Sequence, residues 1–420
     1  MADTSETPVI QVLEKENYFN QALVTLPSPA YPPLGPSALR IRTKVLGLSV
    51  NNFTYARLGF LANWWNVHPL PAGTPAPYDD PAKYGRLAAW GWAEVLESTH
   101  DGVPAGSFLW GYQSIGTLAQ DLTVRDAEVP GHIIVTSEYR QNVMQIYNRY
   151  FAVTGATADA LRKDIDGKSE NPAYDALVRV MFETAYLLNR YAFGSSATPP
   201  STLPGAAPWT HEQADIKGAT IIAFAPGSKV GLCFAHELRY SRAQDERVRQ
   251  VIGAASEQSK SFVERTGLYD TVVSTAESPI DVLAQLGVAS DEKVLLADFG
   301  GRANICAAWA KILQQKYKRL MVLPVGNDVA EVSPADVLAA MQAAAGVTLP
   351  NANDLREQAM KQEGEKKYYD ELESAWKSFR DVGLKGFKAS WGTGMQDVKL
   401  GWERLAQGKV KPDEGLVYVV

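Results

Sequence analysis

Ala219-Thr220-Ile221-Ile222-Ala223-Phe224-Ala225-Pro226-Gly227-Ser228-Lys229-Val230-Gly231-Leu232 reads as a strand apolar along its whole length, a loop of small residues and the first turn of a helix. A strand without polar alternation has both faces covered, which is the condition of a parallel sheet between two helix layers. The same unit recurs downstream. A helix over 230–240 leads to a strand over 248–253, and a helix over 257–266 leads to a strand over 270–273. A helix near 279–286 precedes a strand over 293–298, and a helix over roughly 303–315 precedes a strand over 319–325. This alternation predicts a doubly wound α/β domain.

The loop after the first strand has the composition that a dinucleotide site requires. Small residues let backbone N–H groups approach a pyrophosphate at the positive end of the following helix, and Gly227, Ser228 and Gly231 serve that need. The spacing is Gly-x-x-x-Gly instead of Gly-x-Gly-x-x-Gly, and Pro226 removes one donor, so a tight helix–strand crossing explains the loop equally well. The next strand ends in Gly253-Ala254-Ala255-Ser256 with Lys260 four residues on, and no carboxylate stands where NAD-selective enzymes hold the ribose diol. Ser256 and Lys260 suit a 2′-phosphate; an ordinary helix cap with a solvated lysine is the alternative of equal weight. A third buried strand runs into Asp298-Phe299-Gly300-Gly301-Arg302, where Gly300 and Gly301 permit close ligand approach and Asp298 fixes the loop, against a simple turn as the plainer reading.

Toward the N-terminus the texture is different. Period-two alternation over 9–13 and 38–48, then short apolar runs over 88–97 and 106–118 separated by Gly and Pro, predict a small β-barrel. Asn51-Asn52-Phe53-Thr54-Tyr55 follows the second of these strands as a polar turn. Asn52, Thr54 and Tyr55 offer hydrogen bonds to a carbonyl oxygen, and Tyr55 becomes a proton donor if its pKa is lowered; a packed Asx-type turn is the favoured alternative for any one of them. The aromatic residues Phe60, Trp64, Trp65, Trp90, Trp92, Trp110 and Tyr112 either line an apolar cleft or, with slightly more weight, pack the barrel. Apolar residues at helical spacing over 139–151 and 173–193 predict helices, and 194–210, rich in Ser, Pro, Gly and Ala, reads as a connector. Beyond residue 335, helical and charged segments lead to a last strand over 416–420 that is expected to rejoin the first domain.

With 420 residues, 46% of them hydrophobic and 21% charged, the chain can bury more than one core, so two domains are expected. A net charge of −6 with scattered Lys and Arg argues against a nucleic-acid partner. No window has the length and apolarity of a membrane span, and the N-terminus lacks a basic-then-apolar leader, so no membrane partner and a cytoplasmic location are expected. Cys233 and Cys306 sit in apolar contexts, and His68, His100, His132, His211 and His236 show no metal-ligand spacing, so no metal is expected. No Gly-x-Ser-x-Gly elbow supports a hydrolase.

In chain order these pieces resemble the zinc-independent branch of the medium-chain dehydrogenase/reductases, the quinone and enoyl reductases. Leu46-Gly47-Leu48-Ser49-Val50-Asn51-Asn52-Phe53-Thr54 looks like that branch's strand and polar turn, and Gly91-Trp92-Ala93-Glu94-Val95 with Val103-Pro104-Ala105-Gly106 looks like its barrel strand and turn. Val251-Ile252-Gly253-Ala254-Ala255-Ser256, with Lys260 and Gly267, is similar to its second Rossmann strand and helix, and Gly408-Lys409-Val410-Lys411-Pro412 to its C-terminal signature. More closely, the chain resembles the DUF2855 family, whose function is unassigned, in Asn51 to Tyr55, Trp90-Gly91, Ser228-Lys229 and Gly267-Leu268-Tyr269-Asp270. Where the reductases carry a Gly-Ala-x-Gly-Gly-Val-Gly loop, Ala225 and Ser228 replace the first two glycines and Lys229 a third. Lys229 then either adds a cation to a pyrophosphate or fills the site and excludes nucleotide. Segments near 60–85 and 345–400 exceed what the simpler reductases carry.

The resemblance implies a GroES-like β-barrel substrate domain over 1–195, a Rossmann-like doubly wound parallel sheet over 196–335 and a return to the substrate domain over 336–420. It further implies NADP(H) as cofactor, a homodimer, and reduction of an activated double bond or carbonyl in a small apolar substrate without zinc. A non-redox lyase or isomerase with a degenerate nucleotide site, favoured by the altered loop, and a non-catalytic binding protein are the competing expectations.

Overall fold

The computed structural model describes residues 7–194, 209–326, 332–343 and 350–420. The N-terminal part contributes β1 (Val9–Glu14), β2 (Gln21–Thr25), β3 (Ala38–Leu48), β4 (Tyr84–Gly85), β5 (Ala88–Ser98), β6 (Phe108–Ser114), β7 (Gln120–Asp126), β8 (His132–Val135) and β9 (Arg149–Val153). Antiparallel pairing in the order β3-β5-β6-β9-β8-β7 is closed by β7 returning to β3, from Ala38 opposite Thr123 to Ile41 opposite Gln120. The result is a six-stranded barrel with no free edge around its circumference. Alternate residues point inward, and Leu39, Ile41, Val95, Leu109, Leu122 and Ile133 fill it. The short ribbon of β2, β1 and β4 lies beside the barrel.

Two local expectations are corrected here. Residues 139–151 do not form a helix: short 3-10 turns at Glu138–Arg140 and Gln145–Asn148 run straight into β9. The cause is tertiary, because the fully buried Arg140 donates to Asn148 Oδ1 and to the Tyr150 hydroxyl, both at 3.1 Å, and so fixes the segment against the barrel. The polar turn at Asn51 is instead the start of a helix, Val50–Arg57, capped by Ser49.

The second sheet comprises β10 (Thr220–Phe224), β11 (Gln250–Ala255), β12 (Thr271–Ser274), β13 (Lys293–Phe299) and β14 (Arg319–Gly326). All pairings are parallel, in the order β12-β11-β10-β13-β14. All five residues of β10 are buried, as its unbroken apolar sequence requires. Chain order reverses between β10 and β13, so the loops that follow these two strands diverge and open a crevice at their carboxyl ends. The expected α/β class, a barrel joined to a doubly wound parallel sheet, is the observed one.

The chain ends with β15 (Lys388–Thr393) and β16 (Glu414–Val419). β16 pairs antiparallel with β3, from Leu416 opposite Leu48 to Val419 opposite Val45, and β15 adds to β16 in parallel. Helices Ala352–Glu363, Glu365–Val382 and Gly394–Ala406 precede or separate these strands, and Trp376 and Trp402 from the latter two are 1% and 0% exposed. Trp402 meets Phe53 of the Val50–Arg57 helix at 4.8 Å between ring centres, which ties the chain's end to its N-terminal domain. The expected boundary between residues 195 and 196, and nearly all of the 194–210 connector, lie outside the described residues.

Candidate active site

A cleft of about 1010 Å³ runs between the carboxyl edge of the parallel sheet and the side of the barrel. Its sheet-side wall is built from the loops after the parallel strands: Gly227 to Val230 after β10, Ser256 to Ser259 after β11, Thr275 after β12, and Gly300 to Ala303 after β13. Gly227, Ser228, Lys229, Ser256, Gly300 and Gly301 thus meet on one surface, although up to 74 positions separate them in sequence.

The loop after β10 is held tightly from behind. Ser228 caps helix Lys229–Tyr240, its Oγ accepting the Gly231 N–H at 3.2 Å. A Cβ on Gly231 would stand 3.0 Å from the Ala225 carbonyl oxygen and one on Gly227 would stand 3.3 Å from the Phe262 ring, so a side chain at either position would press on its neighbours. The Tyr269 hydroxyl lies 2.8 Å from the Pro226 carbonyl and 3.0 Å from that of Gly231 and donates to this pair. Gly231 therefore shapes the loop without lining the cleft. Asp298 acts likewise: its Oδ1 accepts the N–H groups of Gly300, at 3.0 Å, and Gly301, at 2.7 Å, and sets the loop after β13 from below. Gly300 has φ +105°, a left-handed conformation that favours glycine.

Lys229 is half-buried in the wall and makes no ion pair among the described residues; its Nζ lies 5.5 Å from the centre of the Phe387 ring. Burial pushes its ammonium down to about 8, opposed by the nearby Cys233. It stands at the positive end of a twelve-residue helix, where an anion is favoured twice over. Ser256 is exposed on the cleft, its Oγ 3.0 Å from that of Ser259. Lys260, one turn along the helix, is half-buried and absent from the cleft wall, whereas Glu257 and Gln258 belong to it. Ser256 thus lines the cleft, and Lys260 stands one helical turn from it.

The barrel side presents Asn51, Thr54 and Tyr55 from the Val50–Arg57 helix, with Trp64 and Tyr147. Thr54 is half-buried, and its hydroxyl makes no hydrogen bond among the described residues. The Tyr55 oxygen accepts from Asn51 Nδ2 at 2.6 Å and Trp90 Nε1 at 2.7 Å. With both lone pairs engaged and the Tyr147 hydroxyl as a third hydrogen-bonding neighbour, the Tyr55 hydroxyl is committed within the fold. Burial raises the Tyr55 pKa strongly, its three hydrogen-bonding neighbours Trp90, Tyr147 and Asn51 opposing, so the lowered value that an acidic role requires is contradicted. Tyr55 stays neutral. Asn52 is also corrected: it is 2% exposed, its Oδ1 accepts the Ser49 N–H at 2.8 Å, and its Nδ2 donates to the Ala88 carbonyl at 3.1 Å. Both ends of its amide are spent inside the fold, away from the cleft. Among the aromatic residues read as lining or packing, Trp90, Trp92, Trp110 and Tyr112 are buried in the packing, and Trp64 reaches the cleft wall.

Sequence reasoning missed Glu183, Arg302 and Arg356, which all line the cleft. Glu183 and Arg356 belong to helices that look amphipathic and unremarkable by spacing, and only the packing of one helix on the other brings them together. Tyr269 had a signal, the Gly267-Leu268-Tyr269-Asp270 pattern, but not one that says which loop its hydroxyl would hold. Among the described residues no group of three or more His, Cys, Asp or Glu is placed to hold a metal ion, and no helix is long and apolar enough to cross a membrane.

A family model described as "Protein of unknown function (DUF2855)" matches residues 46–411. No curated protein sequence matches. Among solved structures, the mycobacterial protein Rv1454c complexed with NADPH is similar at 14% identity and a TM-score of 0.53, covering 99% of this chain and 100% of that one. The Escherichia coli quinone oxidoreductase complexed with NADPH is 12% identical with a TM-score of 0.53, covering 98% and 100%. A putative NADPH:quinone reductase from Bacillus thuringiensis is 12% identical with a TM-score of 0.53, covering 99% and 100%. At such identities the likeness is one of fold: a GroES-like barrel with a Rossmann-like sheet, the architecture of the medium-chain dehydrogenase/reductases.

Proposed function

The chain belongs to the DUF2855 family, and from that premise we propose that it is an NADPH-dependent oxidoreductase that reduces an activated double bond or carbonyl of a small, largely apolar molecule, without zinc. The observation that carries this reading is the cleft itself. One wall is a phosphate-accepting loop and helix end at the switch point of a parallel sheet, and the other is an aromatic barrel face with hydroxyl donors. The solved structures that share the fold and hold NADPH support the cofactor class.

The residues present fit a dinucleotide. The space at Gly227, the cation of Lys229 and the helix end beneath it would receive a pyrophosphate, and Gly300 and Gly301, whose N–H groups are held by Asp298, would let the dinucleotide lie close to the backbone along the sheet edge. Gly231 and Asp298 hold these loops in shape from behind. Ser256 would take the ribose or its 2′-phosphate, with Lys260 one turn away as the cation to reach it. When bound, the nicotinamide supplies hydride. On the opposite wall Thr54, with Tyr55 held beside it by Asn51, Trp90 and Tyr147, polarises a substrate carbonyl; the high Tyr55 pKa keeps the phenol protonated through the physiological range. Trp64, Met144 and Ile146 exclude water from that end. We divide the chain accordingly, with 1–195 and 336–420 forming the substrate side and 196–335 the nucleotide side.

Titration of the purified protein with NADPH and NADH, followed by nicotinamide fluorescence and thermal shift, tests the reading. Saturable binding that favours NADPH, then oxidation of NADPH with an enone or quinone, is the expected result. A folded protein that binds neither nucleotide refutes it and leaves acid–base chemistry without nucleotide in the same cleft.

A further inference from the structure

Arg356 is buried in the cleft wall with most of its donors unspent. It sits one turn into helix Ala352–Glu363 and is 2% exposed. Its Nη2 donates to Asn353 Oδ1, the one hydrogen bond the guanidinium makes among the described residues. Glu183 Oε1 is 3.8 Å from Nη1, beyond hydrogen-bond distance, and accepts the Tyr368 hydroxyl at 2.9 Å instead. Glu357 lies 3.6 Å from Nη2, and its side chain is 45% exposed. None of the guanidinium nitrogens is both sealed from the cleft and without a partner.

Arg40 shows what a structural arginine in this chain looks like. Equally buried, it bonds Asp121 through Nε at 2.8 Å and Nη2 at 2.9 Å, and Glu97 through Nη1 at 2.9 Å. Taking a guanidinium out of water costs several kcal/mol, and good geometry with a carboxylate is what offsets it. Arg40 has that compensation; Arg356 has countercharges at 3.6 and 3.8 Å, neither within hydrogen-bond distance, and an open fork. The cleft wall also carries the apolar side chains of Met144 and Leu187, and Tyr147, which feels the Arg356 charge.

We propose that Arg356 anchors a carboxylate on the substrate, so that the molecule reduced is a small unsaturated or carbonyl compound carrying one acid group. A planar monoanion matches the two-donor fork, whereas a dianion would also face Glu183. The assignment rests on the reductase reading only for the reacting group; the acid anchor is a binding property and is read without turnover.

The test uses trans-3-benzoylacrylic acid and its methyl ester, titrated calorimetrically into the nucleotide-free protein and into the protein saturated with NADP+. The acid is expected to bind about 10- to 100-fold tighter than the ester, the range of one charge-assisted hydrogen-bonding pair. Arg356→Gln should erase that preference while leaving ester and NADPH affinities in place, and Arg356→Lys should keep part of it. Equal binding of acid and ester by the wild-type protein, binding of neither, or a preference that survives Arg356→Gln overturns the proposal. So does a loss of NADPH affinity in Arg356→Gln as large as the loss of acid affinity, which assigns the cation to the nucleotide. The wild-type comparison stands even if Arg356→Gln does not fold. An intact acid preference in a protein that binds no nucleotide would leave the anchor standing and remove the reductase.

Discussion

Nucleotide affinity should fall with rising pH, and Lys229 should be the reason. The ammonium is held down to about 8 by burial and has no carboxylate partner among the described residues, so it loses its proton in an accessible range. If the charged form is the one that receives the pyrophosphate, the apparent Kd for NADPH scales as one plus the ratio of neutral to charged lysine. With that value the factor is about 1.1 at pH 7, about 2 at pH 8 and about 11 at pH 9, a tenfold loss for one proton. The phosphates contribute little to this slope, since their last ionisation lies near pH 6. Lys229→Met should weaken NADPH about 10- to 150-fold at pH 7, the worth of about 1.5–3 kcal/mol for hydrogen bonding to a charged group, and should give a flat profile up to pH 9. Fluorescence titration at constant ionic strength measures both. A wild-type profile without slope, or the same slope in Lys229→Met, refutes the reasoning. The ligand-free protein supplies a second check with the opposite sign. Between about pH 8 and the ordinary lysine value the unfolded chain holds a proton that the folded chain has lost, so stability rises with pH across that window. Lys229→Met should lack this rise.

Asn52→Ala should lower stability by about 1–2 kcal/mol through the lost cap and the lost bond to Ala88, with kcat of the folded protein unchanged; a large kcat loss at unchanged stability would restore the catalytic role that its burial denies. Tyr55→Phe leaves the Trp90 and Asn51 N–H groups without their acceptor and should cost about 2–4 kcal/mol in urea unfolding, together with a fall in kcat; a wild-type kcat in the folded variant would remove Tyr55 from the chemistry. Tyr269→Phe should raise the Kd for NADPH severalfold and lower stability by about 1 kcal/mol, because the carbonyls of Pro226 and Gly231 lose their shared donor; equal Kd values would show that the loop holds its shape without it. Lys260→Ala should weaken NADPH more than NADH, and an equal effect on both would show that it does not reach the 2′-phosphate.

The sequence by itself determined the two kinds of sheet. The unbroken apolar run of β10 calls for cover on both faces, and the alternation along the sequence of β3 calls for an antiparallel strand, so the two kinds of sheet are expected from local pattern. The small residues of 225–231 marked the loop at the sheet's carboxyl edge for the same reason: the steric limit is local, and it shows as the absence of side chains. Tertiary structure decided what local pattern could not. Residues 139–151 carry helix-like spacing yet end in β9 between β6 and β8 of the barrel, where Arg140 bonds Asn148 and Tyr150. Asn52 and Thr54 are two residues apart, and helix geometry turns one into the core and the other onto the cleft. Glu183 and Arg356 meet across 173 positions by helix packing alone. Strand and loop chemistry are written in neighbours along the chain; a cleft is made of side chains from many elements, and their meeting depends on how whole elements pack.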